Sequence, residues 1–171
     1  MPAAHPAAWP EEELLRNCEF TFTRRRGPGG QHRNKVETAV VVTFVPAGVQ
    51  AEASERRSQL QNRQEAIRRL RLKLARHVRS TGTGAGPSPL WRERLAGRRL
   101  AVSPQHADYP ALLAEALDAL YESELQPAVA AERLECSTSQ LLRLIQRNAA
   151  AWQQVNEDRV RRGLPPLHAR H

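Results

Sequence analysis

The chain holds little cysteine: only Cys18 and Cys136, far apart and in no C-x-x-C pairing. That spacing argues against a disulfide framework and against a zinc ribbon, and it fits a reducing cytoplasm. Aromatic residues make up 5% of the sequence, so any core has to be assembled mainly from Leu, Val and Ala. No apolar run approaches the ~18 residues that a transmembrane helix requires. The first residues, MPAAHPAAWPEEELL, are acidic rather than basic, and show neither the pattern of a secretory signal nor that of an Arg-rich transit peptide. Lysine and arginine are wholly absent from residues 101–132, which hold six acids.

What is present is arginine, unevenly placed. The formal net charge is +8 over 171 residues, but residues 1–100 carry 19 Lys and Arg against 9 Asp and Glu, and residues 101–171 carry 7 against 9. The basic character therefore belongs to the first part, and there Arg far outnumbers Lys. Its planar fork suits phosphate oxygens, so a polyanion is the expected partner and nucleic acid the commonest of that class. A chain of this length allows one ordinary domain with attachments.

Residues 10–17 (PEEELLRN) read as a short helix with its acids at the positive end of the dipole. Cys18 to Thr23 alternates as a strand with Cys18, Phe20 and Phe22 on one face, and the β-branched run Thr38 to Val45 reads as a second strand buried on both faces or nearly so. Pro46 to Gly48 is a turn, and Val49 to Ala53 a short return strand. A long helix follows from Ser54, its candidate N-cap, to Arg79, with Leu60, Ile67, Leu70 and Leu74 inward and nine Lys or Arg outward. Thr81 to Pro89 (TGTGAGPSP) reads as linker, because its glycines follow a helix and no Lys-Ser/Thr pair comes after them. Beyond it lie helices at Tyr109–Glu122, Pro127–Leu134, about Gln140–Arg147 behind a Ser137 cap, and Ala149–Arg162. The tight turn at Glu135-Cys136 makes the middle pair resemble a helix-turn-helix.

Between the first two strands lies the segment that carries chemistry, GPGGQHRNKVETAV at 27–40. Pro28 fixes one dihedral while its glycine neighbours are free, so the backbone amides of a narrow tip can face outward. Gln31 offers a donor and an acceptor but no strong base or nucleophile. With the turn at Pro46 and Gly48 and the helix sequence RRSQLQNRQEAIRRL at 56–70, residues 14–79 resemble the catalytic domain of the class-I peptide-chain release factors. The resemblance implies ribosome-dependent hydrolysis of the ester joining nascent peptide to tRNA. It places the backbone N–H of Gln31 on the oxyanion, the Gln31 side chain on the water, and gives Gly29 and Gly30 a permissive role. The ribosome would supply the rest, so no cofactor or metal is called for. His32 fits loop positioning, and His168 and His171 have no further ligands. Arg24, Arg25, Arg26, Arg33 and Lys35 bracket the loop, and with Arg56, Arg57 and Arg63 are expected to contact large-subunit rRNA and the tRNA acceptor end. Where relatives commonly have a small residue before GPGGQ and Val after GGQ-His, this sequence has Arg25, Arg26 and Arg33.

Stop-codon-reading members carry Pro-x-Thr or Ser-Pro-Phe tripeptides; neither occurs in these 171 residues, and Ser103-Pro104-Gln105 is no substitute. The expectation is a short, monomeric, cytoplasmic, codon-independent release factor acting at stalled ribosomes. Unlike such relatives it ends in residues that look folded rather than in a Lys/Arg-rich tail. The fold expected is α+β: a small three-stranded antiparallel sheet on a long helix over 10–80, a flexible link over 81–104, and a small helix-turn-helix-like region over 105–171. Two alternatives of other classes are a ribosome-bound adaptor without hydrolysis and a DNA-binding regulator reading through Arg143 and Arg147. The intact Gly29-Gly30-Gln31 disfavours the first, and the acidic 101–132 stretch the second.

Overall fold

Three acids behind Pro10 open the first helix, α1 (Glu11–Arg16), with Arg16 in its last turn, so both ends complement the dipole. The computed structural model describes residues 4–23, 38–80, 86–97 and 99–168. Strands β1 (Cys18–Thr23), β2 (Ala39–Phe44) and β3 (Val49–Ala53) form an antiparallel sheet in the order β1-β2-β3. Between β2 and β3 a single 3-10 turn ends at Gly48, whose φ of 62° lies in the left-handed region that a side chain would strain. Register pairs Phe20 with Val42 and Val42 with Ala51. Because side chains alternate, Cys18, Phe20, Phe22, Val40, Val42, Phe44, Ala51 and Ala53 share one face. The long helix α2 (Gln59–His77) lies across that face and buries Ala66, Ile67, Leu70 and Leu74 against it. The α+β class and the three strands stand as the sequence predicts.

Three details of this half differ from expectation. α2 begins at Gln59 behind Ser58, whose hydroxyl accepts from the Gln61 N–H at 3.4 Å, and not behind Ser54. The reason is Asn62, which accepts from the Arg56 N–H and donates to the Arg56 carbonyl, both at 2.9 Å, and so holds residue 56 in a turn. Leu60 consequently falls in the first helical turn and is 62% exposed instead of backing the stripe. Of the nine cations expected to face outward, two turn in: Arg71 donates to the Ala7 and Trp9 carbonyls, both at 2.9 Å, and Arg79 pairs with Asp118 at 2.9 Å. Phe22, at the end of edge strand β1, is 42% exposed although it shares the covered face.

The remaining elements are α3 (Pro89–Arg94), the two-stranded hairpin β4 (Leu95–Ala96) and β5 (Arg99–Leu100), α4 (Tyr109–Glu122), α5 (Pro127–Arg133), α6 (Thr138–Gln146) and α7 (Ala149–Arg161). Sequence periodicity assigns no element to 89–104, yet Trp91 there is fully buried and its indole N–H donates to the Leu134 carbonyl at 2.9 Å. α4 packs against α2, α5, α6 and the amino-terminal segment at once, which is why nearly its whole surface is buried. Two of its acids act as internal ties. Asp118 holds Arg79 and the Ser80 N–H, and Glu115 accepts from the Ser88 N–H at 2.7 Å and the Ser88 hydroxyl at 2.6 Å. Burial pushes the Asp118 carboxyl up to about 6 in spite of Arg79. One apolar cluster runs from Val40 and Leu70 through Leu112 and Leu120 to Ile145 and Val155.

The amino-terminal residues lie against α2 and α4 through a 3-10 turn at Pro6–Ala8. His5 is 7% exposed; its Nδ1 accepts from the Ala7 N–H at 3.0 Å and its Nε2 lies 3.1 Å from the Val78 carbonyl. That geometry requires the neutral Nε2–H tautomer, and burial lowers its pKa from 6.5 to about 4. An unfolded chain takes up this proton first, so the contribution of His5 is complete above about 6.5 and is lost as pH falls towards 4. It amounts to about 3 kcal/mol. Thermal melts of wild type and His5→Gln should therefore differ most near neutrality and converge near pH 4; a pH-independent difference would contradict the neutral buried imidazole.

Candidate functional site

The ends of the segment 24–37 are set by the sheet. β1 leaves it at Thr23, β2 returns at Ala39, and these two residues are register partners. Thr38 is tied to the start of α2, because the Asn62 amide donates to the Thr38 carbonyl at 2.6 Å. Asn62 is fully buried and spends both of its donated hydrogens and its oxygen on backbone groups of residues 38 and 56. It is the junction between the root of the connection and the helix. Sequence reasoning missed it as a site residue, although an Asn one turn ahead of Ala66 on the stripe that continues through Leu70 and Leu74 is the available signal. Asn62→Ala removes three hydrogen bonds from a dry position and is expected to cost about 3 kcal/mol, a fall in Tm of about 5–10 °C. A melt within 1–2 °C of wild type would mean that the root is held by something else.

Of the residues singled out from sequence, Gly29, Gly30, Gln31, His32, Arg24, Arg25, Arg26, Arg33 and Lys35 lie outside the described residues. Arg56 and Arg57 are exposed in the turn before α2. Arg63 is half-buried, with its guanidinium 4.7 Å from the centroid of the Phe20 ring, and Phe20 stacks on Phe22 at 6.4 Å with 12° between the planes. Arg56, Arg57 and Arg63 have no acidic partner among the described residues. The next cations along α2 are neutralised. Glu65 binds Arg68 and Arg69, each at 3.0 Å, and Glu55 binds Arg69 at 2.8 Å; these arginines hold both carboxyls below their usual range. Among the described residues, arginines without an acidic partner thus collect at the end of α2 nearest the root of the connection. The Phe20–Phe22 stack lies beside this end of the helix, under Arg63.

Comparison with known proteins turns on the same segment. The RF-1 domain model matches residues 14–85, which takes in β1, the 24–37 connection, β2, β3 and all of α2. Residues 14–85 are an RF-1 domain. A chloroplastic peptide chain release factor of Arabidopsis thaliana is 51% identical over 65 residues, 38% of this chain and 13% of the relative. Peptide chain release factor 1 of Chloroherpeton thalassium is 57% identical over 78 residues, 42% and 22% of the two chains, and that of Rhodospirillum rubrum 44% over 89 residues, 48% and 25%. The match therefore spans a quarter or less of these curated relatives. One side of α2 covers the sheet, while Arg71 within it holds the amino-terminal turn and Arg79, just past its end, holds α4. Among the described residues no helix is long and apolar enough to cross a membrane.

Proposed function

We propose that this protein hydrolyses the peptidyl-tRNA ester on the ribosome and releases nascent peptide from stalled complexes without reading a stop codon. The observation that carries the proposal is the unbroken GPGGQ sequence within an RF-1 domain, in the connection whose root Asn62 fixes to α2. Ester hydrolysis passes through an oxyanion that needs an aimed donor. The Gln31 backbone N–H is that donor, its side-chain amide admits water and turns away larger nucleophiles, and Gly29 and Gly30 let the chain take the required path. Arg24, Arg25, Arg26, Arg33 and Lys35, with Arg56, Arg57 and Arg63, hold the tip through phosphates of large-subunit rRNA and of the tRNA acceptor end. Residues 10–80 carry the release chemistry.

The decisive measurement is peptide release by the full chain from ribosomes stalled on a message truncated in the coding region, and from isolated large subunits carrying peptidyl-tRNA. Release from either is the expected result, and the faster substrate names the kind of stall served. Tight ribosome binding with no release from either would replace the hydrolase by a non-catalytic adaptor.

A further inference from the structure

Among the described residues of the second half of the chain, part of the free positive charge is gathered in one place. The hairpin β4–β5 lies against α6, and between them is a small cleft of about 60 Å³ lined by Arg99, Leu100, Gln140, Arg143, Leu144 and Arg147. Gln140, Arg143 and Arg147 follow one another at three- and four-residue spacing and so project from a single side of α6. Arg99 approaches from β5. Leu100 and Leu144, both buried, form the floor. No acid lines the cleft, α6 contains none, and neither Arg99 nor Arg143 has an acidic partner among the described residues. The Arg147 guanidinium donates to the Val102 carbonyl, which fixes it at the rim. Among the described residues, four other arginines of the second half are engaged: Arg94 by Asp108, Arg133 by Glu122, Arg161 by Glu157 and Asp158, and Arg159 by the Leu125 and Pro165 carbonyls.

We infer that this cleft binds a backbone phosphate of ribosomal RNA, giving the helical half its own hold on the ribosome. The inference rests on the ribosomal reading above but concerns a surface distinct from the release loop. Three guanidinium groups around a pocket with a closed floor make a concave, all-donor site, to which Gln140 adds an amide, and a phosphodiester is the anion such forks fit. The carboxyl end of α6 opposes an anion weakly, and the guanidiniums outweigh it. Duplex DNA fits less well. A helix-turn-helix that lays α6 in a major groove also needs phosphate contacts from the helix before it. Here α5 shows solvent an exposed Glu132, while its Arg133 is held by Glu122. α4 contains no Lys or Arg. Irregular RNA, recognised through local shape and isolated phosphates, requires no such flanking contacts.

The test uses the full chain with Arg99→Ala and Arg143→Ala, singly and together. Both side chains are exposed and bonded to nothing among the described residues, so their removal leaves the fold intact, which a melting curve verifies. Affinity for purified large subunits is measured across a salt series, with a duplex DNA of about 20 base pairs, two helical turns, as comparator. The expected result for the double variant is a fall of about tenfold or more in ribosome affinity, and a log–log salt slope shallower by about one for each phosphate no longer bound. The rate of release at saturating ribosomes should stay unchanged, and Arg143→Lys should restore part of the affinity. Wild-type affinity and salt slope in the double variant would overturn the inference while leaving the hydrolase standing. So would a weakening confined to duplex DNA. A wild-type chain that binds no ribosomal particle would overturn the ribosomal reading itself and this inference with it.

Discussion

Gly30→Ala is expected to lower the rate of peptide release by about 10²–10³-fold, the usual consequence of losing one preorganised oxyanion donor. Ribosome co-sedimentation should be unchanged, because the contacts assigned to binding lie on the arginines and not on the glycine. The reason is steric and conformational: a Cβ at position 30 restricts the backbone that must aim the next amide, that of Gln31, at the developing negative charge. Gln31→Ala tests a different part of the assignment. It keeps the backbone N–H and removes only the side-chain amide, so hydrolysis should persist while discrimination against nucleophiles larger than water weakens. If instead Gln31→Ala abolished release and Gly30→Ala did not, the side chain rather than the backbone would be the catalytic group. Single-turnover release with saturating protein separates these outcomes from any effect on binding.

Trp91→Ala is expected to destabilise the protein by about 3–5 kcal/mol, since it empties a fully buried site of the largest side chain in the core. In a chain of this size the penalty corresponds to a fall in Tm of about 10 °C or more. Trp91→Phe separates the two contributions. It keeps most of the apolar volume but leaves the Leu134 carbonyl without its indole donor, and should cost about 1–2 kcal/mol. The expectation follows from where α3 sits. Its cap Ser88 is bonded to Glu115 of α4, Trp91 reaches the end of α5, and Arg94 is paired with Asp108 at the start of α4. A penalty under about 1 kcal/mol for Trp91→Ala would show α3 to be a loosely held strap. In that case the helical half would be anchored chiefly through α2 and α4.

Much of the RF-1 domain was readable from residue order alone because its determinants are local. Strict alternation placed β1, a β-branched run placed β2, Pro46 and Gly48 placed the turn, and 3.6-residue spacing of Ile67, Leu70 and Leu74 placed α2. The likeness to the release-factor domain was equally legible, being carried by residue types in a fixed order. In the second half, the apolar stripe of α4, Pro127 at the first turn of α5 and the Ser137 cap marked helices to within one or two residues.

Long-range contacts decided the rest. Ser54 and Ser58 are both acceptable caps by type, and only the hydrogen bonds of Asn62 to residues 38 and 56 select the second. Asp118 and Glu115 look like members of a solvated helical side until α2 and Ser88 are brought against them, because nothing local tells a buried carboxylate from an exposed one. Trp91 in a six-residue helix has too short a context to show periodicity, and its burial depends on Leu134, far along the chain. The cleft of Arg99, Arg143 and Arg147 joins a hairpin to a helix some forty residues away, so no spacing rule could announce it. The sequence by itself determined the elements, the release-factor likeness of residues 14–85 and the sign of the charge. Only the tertiary structure decided which polar groups are interior ties and which arginines are left free, because charge pairing and burial depend on neighbours in space rather than in sequence.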